Sequence, residues 1–497
     1  MASADELARR IFEGPGGPEV GAFFDYDGTV ISGFSALAFY RDRVLRLNIG
    51  PREAARTLLA AARGIDSPED FAEFLEIALG AWRGRTVEEI EALGQRLFKE
   101  QIAGRLHLEV LPLLAAHRQM GHTIALASSA TRFQVEPMAR ELEVDAVLCT
   151  PVEVADGTFT GRIGGPTLWG EGKAEAVRGL ARERGIDLQR SYAYSNGDED
   201  LPFLRTVGLP CAVAPERGLR AEAERLDWPV LECESRGGQP GVVEVARTAA
   251  FYGGMAAAAG AGLTAGVLNR SRSTMVDVTG SLGSELGLAL AGVDVKIVLG
   301  EEHLWSARPC VFAFNHQSKI DTIILARLLR GGFTGIAKKE VANVPVFGQF
   351  FRLAGVAFID RSDPAKARRA MEPAVEKLRA GTSLVIAPEG TRSPTPRLGP
   401  FKKGAFHLAM QAGVPIVPIV IRNAGEVMWR GAQTIRPGTV EVAVLEPVDT
   451  SDWEAKKIAE HAAAVREMFL STLADWPSPR ALPAGVRPVP VPVEVRA

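Results

Sequence analysis

The stretch "FFDYDGT" sets two carboxylates, Asp25 and Asp27, two residues apart at the end of an apolar run. In an extended chain that spacing turns both side chains to one face. Carboxylates are costly in a core but useful around a hard cation. An oxygen-rich pocket suits Mg2+, which also binds a substrate phosphate. Asp25 then reads as a nucleophile that takes up a phosphoryl group, and Asp27 as acid and then base. A second stretch, "AFNHQSKID", puts His316 and Asp321 on a turn from an apolar run into the helical "TIILARLL". There the carboxylate can fold back onto one imidazole nitrogen while the other points outward. Such a base–orienter pair activates a hydroxyl for attack. Standing alone, the same turn would equally serve as a helix cap with a surface histidine.

Both stretches need strands that end where the chemistry begins. Short apolar runs alternate with helical patterns from the start, which argues an α/β layout with parallel strands. "GAFFDY" (21–26), "TIALAS" (123–128), "DAVLC" (145–149), "YAYS" (192–195) and "CAVA" (211–214) read as strands. Between the first two the chain reads as helical. Thr86 and Glu89 have capping-box spacing ahead of Ile90, Leu93 and Leu97, and Ser67 with Pro68 opens "SPEDFAEFLEIAL". This insertion, about 33–115, is expected to cap the C-terminal end of the first strand, where open α/β sheets bind ligands. The polar "ECESRGGQPG" (232–241) marks a linker, set at 236–245 between domains at 1–235 and 246–475. In the second α/β pattern, strands are expected near 310–314, 355–359, 383–387 and 414–421, and residues 476–497 form a proline-rich tail.

Composition narrows the partners. A chain of 497 residues has room for two or three domains, and its net charge of −3 argues against nucleic acid. Cys149, Cys211, Cys233 and Cys310 lack C-x-x-C spacing and are expected to be reduced, buried thiols. "MASADELARRIFEG" has no apolar run of the secretory kind. Residues 248–269 carry no charge over about the length of a membrane span, but they are mostly Ala and Gly. A second uncharged stretch covers 286–293. Two packed helices using small residues for close approach would explain both. A helical hairpin resting in a membrane interface without spanning it explains them too.

Four signatures in order identify residues 20–230 as similar to the haloacid dehalogenase superfamily, in its phosphoserine-phosphatase-like branch. "DYDGT" matches the first motif, Ser128 the phosphate-holding hydroxyl of the second, Lys173 the charge-neutralising lysine of the third, and "NGDEDLP" the fourth. The resemblance implies a Mg2+ site at Asp25, Asp27, Asn196 and Asp200, with Asn196 standing where the family has an acid. Phe34 replaces the glutamate that would hold the ammonium of phosphoserine, which leaves a phosphate ester with an apolar body as the expected substrate. A catalytically inactive module that binds a phosphorylated ligand is the alternative.

Residues 245–475 resemble the glycerolipid (1-acylglycerol-3-phosphate) acyltransferases through "NHQSKID", "GVAFIDR", "APEGTRS" and "VPIVPIVI". That likeness implies direct attack of a glycerophosphate hydroxyl on an acyl thioester, from acyl-CoA or acyl carrier protein. His316 would be the base and Asp321 its orienter. Arg361, Arg392 and Lys338 would hold the acceptor phosphate, and Glu389, Gly390 and Thr391 would position the glycerol. Ser318 is expected to hydrogen-bond within its turn. Lysophosphatidate lives in membranes, which favours the interfacial reading of residues 248–293 at the cytoplasmic face, with Arg270 and Arg272 suited to anionic lipid.

Overall fold

Alternate residues of the N-terminal strands enter two different cores. Phe23, Ala125, Ala127, Ala193 and Ala212 pack on one side, and Phe24, Leu126, Tyr194, Cys211 and Val213 on the other. A strand's period of two makes that division, and burial on both faces is the mark of a parallel sheet. The structure, a computed structural model, describes residues 2–46, 49–50, 67–234, 240–343, 347–359 and 372–477. The chain divides into two units, Met1–Gln239 and Pro240–Ala497.

In the first unit the strands are β1 (Gly21–Phe24), β2 (Thr123–Ser128), β3 (Ala146–Cys149), β4 (Val152–Ala155), β5 (Thr158–Ile163), β6 (Tyr192–Ser195), β7 (Leu209–Val213) and β8 (Val230–Leu231). Six of them form a parallel sheet in the order β3-β2-β1-β6-β7-β8. The winding reverses between β1 and β6, and such a switch point opens a crevice at the strands' C-terminal ends.

The cap between β1 and β2 includes helices Ala36–Leu45, Pro68–Leu79 and Val87–Leu97. Ser67 caps the second helix through the Asp70 N–H, and Thr86 with Glu89 closes a capping box on the third. The β4–β5 hairpin was not expected from sequence. Its Asp156-Gly157 turn has positive φ at both residues, the twist a two-residue hairpin wants. It holds the cap: Phe159 exchanges backbone hydrogen bonds with Gly84 and Arg85, and its ring meets Trp82 edge-on.

The second unit contains β9 (Val293–Leu299), β10 (Val311–Phe314), β11 (Phe333–Lys338), β12 (Ala357–Ile359), β13 (Ser383–Ile386), β14 (Ile416–Arg422) and β15 (Gly438–Val444). Their order is β12-β11-β13-β10-β14-β15-β9, parallel throughout except between β14 and β15. Strands β9, β11 and β15 were not anticipated. The fold is thus α/β in both units: a Rossmann-like parallel sheet with a helical cap, and an α/β acyltransferase-type sheet preceded by a helical hairpin.

That hairpin joins helices Val242–Leu268 and Arg272–Ala291, with Ser271 capping the second through the Thr274 N–H. Its seam is made of small residues. A methyl group added at Gly262 would come within 2.0 Å of Thr279 Oγ1, and one at Gly266 within 2.5 Å of Met275 Cβ. The helix Val242–Leu268 is also long and apolar enough to cross a membrane, by length and composition. Tyr252, Leu263, Val267, Leu268 and Leu282 remain exposed. Residues 478–497 of the proline-rich tail lie outside the described residues, as do 51–66 of the cap.

Candidate active sites

Asp25 extends β1 by one rung, its N–H donating to the Tyr194 carbonyl of β6 at 2.9 Å. It therefore stands at the switch point. Lys173, near the start of helix Glu171–Arg184, donates to Asp25 Oδ1 at 2.7 Å and to Asp200 Oδ2 at 2.5 Å. Ser195 Oγ donates to the same Asp200 oxygen at 2.5 Å. All three charged groups are buried, so each depends on the others. Burial pushes the Asp25 carboxyl up to about 6, with Lys173 pulling it down and Asp200 adding to the rise. Burial works against the charge on Lys173, but Asp200 and Asp25 outweigh it and hold the ammonium above its ordinary range.

Asp27 turns its carboxylate away from this trio. It accepts from the Ser35 N–H at 2.6 Å and from Ser35 Oγ at 3.0 Å, and Gln134 Nε2 steadies that hydroxyl at 3.2 Å. Burial pushes Asp27 up to about 7 against the pull of those hydrogen bonds. Its backbone carbonyl faces Asn196 instead. One terminal atom of the Asn196 amide lies 2.9 Å from the Asp27 carbonyl oxygen, 3.0 Å from Thr29 Oγ1 and 3.3 Å from Asp25 Oδ2. With nitrogen at that position the amide donates to all three oxygens. With oxygen there, a cluster forms that a cation would reconcile: about 2.9 Å is the edge of an octahedron of oxygens around Mg2+. Asp200 Oδ1 is buried without a hydrogen-bond partner among the described residues, a further oxygen that suits a cation. Gly28, at φ +85°, has no room for a side chain, since a Cβ would meet the Asn196 amide at 2.2 Å. Ser128 ends β2 beside β1 and is buried, its Oγ accepting from the Ala130 N–H at 3.1 Å. It shares no hydrogen bond with the other site residues.

The second site is built on β10, with β13 and β14 on either side. His316 Nδ1 lies 2.8 Å from Asp321 Oδ2, which also accepts the N–H groups of Gln317 and Ser318 at 2.8 and 2.9 Å. Asp321 is fully buried and fixes the ring, while His316 Nε2 has no partner among the described residues. Asn315 clamps the turn to β14 by exchanging two hydrogen bonds with the Ile421 backbone, at 2.8 and 2.7 Å. Ser318 Oγ accepts from the Ile320 N–H within the turn and donates to the Met428 carbonyl at 2.5 Å.

Glu389 follows β13 and is spent internally. It accepts from the His316 N–H at 2.8 Å, Ser393 Oγ at 2.5 Å and the Gly399 N–H at 2.8 Å. With those partners it orders the two turns against each other. Ser393 completes the link by donating its N–H to the His316 carbonyl at 2.7 Å. Gly390 has φ +72°, and Thr391 next to it is exposed. Arg392 donates to the Arg430 carbonyl at 3.2 Å. Lys338 ends β11, opposite Ile359 of β12, with β13 between its strand and β10. Arg361 lies outside the described residues. Sequence reasoning passed over Thr29, Ser35, Gln134, Ser195, Asn315, Ser393 and Arg430, whose roles depend on partners far along the chain.

Both sites have counterparts in known proteins. Residues 22–205 match the family model of haloacid dehalogenase-like hydrolases, and residues 296–422 match that of acyltransferases. A 1-acyl-sn-glycerol-3-phosphate acyltransferase of Limnanthes douglasii is 36% identical over 203 residues, covering 41% of this chain and 71% of its own. The Saccharomyces cerevisiae protein of the same name is 39% identical over 187 residues, covering 37% of this chain, and the match spans only 61% of the yeast protein. A phosphoserine phosphatase of Mycobacterium tuberculosis is 35% identical over 215 residues, covering 42% of this chain and 70% of its own. The chain therefore belongs to two families at once: its first unit is a haloacid dehalogenase-like hydrolase domain, and its second belongs with these acyltransferases.

Proposed function

We propose that the protein is a lysophosphatidate acyltransferase fused to a phosphatase that acts on a phosphate ester with an apolar body. The acyltransferase reading rests on His316, whose ring is fixed by buried Asp321 through one nitrogen and keeps the other without a partner. Nε2 takes the proton of the acceptor hydroxyl as that oxygen attacks the thioester carbonyl. The carbon–sulfur bond of acyl-CoA or acyl carrier protein breaks, the leaving thiolate takes the proton back from His316, and the product is phosphatidate. Arg392, with Arg361 and Lys338, holds the acceptor phosphate, since a guanidinium can grip it in bidentate fashion. Gly390 and Thr391 border the acceptor, and Glu389 positions His316. Purified protein given lysophosphatidate and an acyl thioester should form phosphatidate. No product with either carrier overturns this reading.

In the first unit Asp25 is the nucleophile on phosphorus, Lys173 offsets charge on it and on the incoming phosphate, and Asp27 exchanges the proton with the leaving oxygen and then with water. Ser128 is placed to hold a phosphate oxygen. Asp25, the Asp27 carbonyl, Asn196 and Asp200 would hold Mg2+. When bound, the cation would neutralise phosphate charge. Phe34 is 56% exposed beside Ser35, the residue that grips Asp27, and Leu37 is similarly exposed, so apolar surface borders this site. That favours a lipid-like ester over phosphoserine. Phosphate release from a panel of esters, including phosphoserine, tests the choice; a preference for phosphoserine contradicts it.

The exposed apolar side of the helical hairpin supports an interfacial position on the cytoplasmic face of a membrane. Arg272 is less available to lipid than sequence suggested, because its guanidinium donates to the carbonyls of Arg352 and Leu353 at 2.7 and 2.8 Å.

A further inference from the structure

Around His316 the protein gathers positive charge and leaves it unmatched. Arg392 and Arg430 clasp each other: Arg392 donates to the Arg430 carbonyl at 3.2 Å, and Arg430 donates to the Arg392 carbonyl in return. Each guanidinium uses one nitrogen for this clasp, and the others find no acceptor among the described residues. Lys319, three residues after His316, lies close enough to Arg392 to feel its charge. Neither arginine nor Lys319 has an ion-pair partner among the described residues. Asp321, whose charge acts on Arg392, is already committed to His316 and two backbone N–H groups. Burial first, and then Arg392, lowers the pKa of Arg430. Half-buried like charges of this kind are costly unless an anion joins them.

Arg430 is not held there by chance of a loose loop. Ser318 of the histidine turn donates to the Met428 carbonyl, and Thr248 of the helical hairpin accepts from the Ile435 N–H at 2.9 Å. Arg436 pairs with Glu244 at 3.1 Å and lies over the Trp429 ring. The loop is thus fastened at both ends, and its arginine is presented beside Arg392.

We propose that Arg430 is a second phosphate-holding residue of the acyltransferase centre, completing with Arg392 and Lys319 a site for the doubly charged phosphate of the acyl acceptor. This rests on the acyltransferase reading above. A phosphate monoester presents three oxygens, more than one guanidinium can serve, and two arginines meeting it from neighbouring loops would fix its orientation toward His316.

Steady-state kinetics of the full chain test this, with lysophosphatidate and acyl-CoA varied in turn. A hydrogen bond to a charged group contributes enough that Arg430→Gln should raise the KM for lysophosphatidate roughly 10- to 100-fold. The kcat should change only a few-fold, and the KM for acyl-CoA should hold. Arg430→Lys, which keeps the charge but not the fork, should recover part of the loss. Lys319→Gln, at an exposed position, should raise the same KM by a smaller factor, and it carries the test if Arg430→Gln does not fold. An unchanged acceptor KM in the folded variants overturns the proposal. A rise confined to acyl-CoA overturns it as well, assigning the cluster to the donor's phosphates. Wild-type protein that fails to acylate lysophosphatidate overturns the underlying reading, and this proposal with it.

Discussion

The two centres proposed for this chain would hold phosphate in different ways. In the first unit one ammonium is locked between two carboxylates: Lys173 sits between Asp25 and Asp200, all three buried, and the net negative charge left over suits a cation. In the second unit, among the described residues, the cations Lys319, Arg392 and Arg430 have no carboxylate partner and His316 Nε2 has no hydrogen bond. The locked trio is ordered before a ligand arrives. An unmatched site invites the ligand to finish it. The difference follows from the chemistry, because a carboxylate nucleophile must be kept charged in a dry pocket, whereas a general base works at an open rim.

Removing one member of each set breaks that comparison most sharply. Asp25→Asn should eliminate phosphate release from any ester the wild type accepts, while phosphatidate formation continues; loss of both activities would mean the centres are not separate. Lys173→Ala leaves two buried carboxylates facing each other, and removing one partner of a buried pair costs about 3–5 kcal/mol. Hydrogen exchange of β1 and β6 in the full chain should speed up accordingly. Arg392→Ala, by contrast, removes an unmatched charge and should change exchange in β10 little. If the two variants destabilise their strands equally, the contrast is wrong.

Asn196→Asp sharpens the first half of it. The added carboxylate has no proton to donate to Asp27 or Asp25, so the metal-free protein should lose stability. Mg2+ should bind more tightly, read by the concentration that restores the unfolding midpoint as well as by phosphate release. A midpoint indifferent to Mg2+ in both proteins would remove the cation from this site. The smallest effect is expected at the cap, where Thr86→Ala removes a capping box. That should cost about 1 kcal/mol, measured as faster exchange in helix Val87–Leu97.

How far sequence reached depended on whether the partners of a residue lay nearby. The strand ends carrying Asp25 and His316 were legible because an apolar run stops at a charged residue, and the pair His316–Asp321 because five residues of a turn bring them together. Thr86 and Ser67 were legible as caps for the same reason. Strand β9, "VDVKIVL", alternates plainly, but the uncharged stretch 286–293 that ends the preceding helix runs straight into it. The β4–β5 hairpin also had its signal, the Asp156-Gly157 turn. The internal use of Glu389 had none, since Ser393, Gly399 and the His316 N–H converge on it only in the folded chain. Nor could Arg430 be found, standing 38 positions from Arg392 without a motif around it.

The central claim is that His316, oriented by Asp321, is the base for acyl transfer to a glycerophosphate hydroxyl. Acylation of lysophosphatidate by purified His316→Ala protein tests it most directly, with hydrogen exchange of β10 and β14 as the control for folding of the second unit. Loss of a general base should slow phosphatidate formation about 100- to 10,000-fold and leave phosphate release as it was. Phosphatidate formed at close to the wild-type rate would contradict the account.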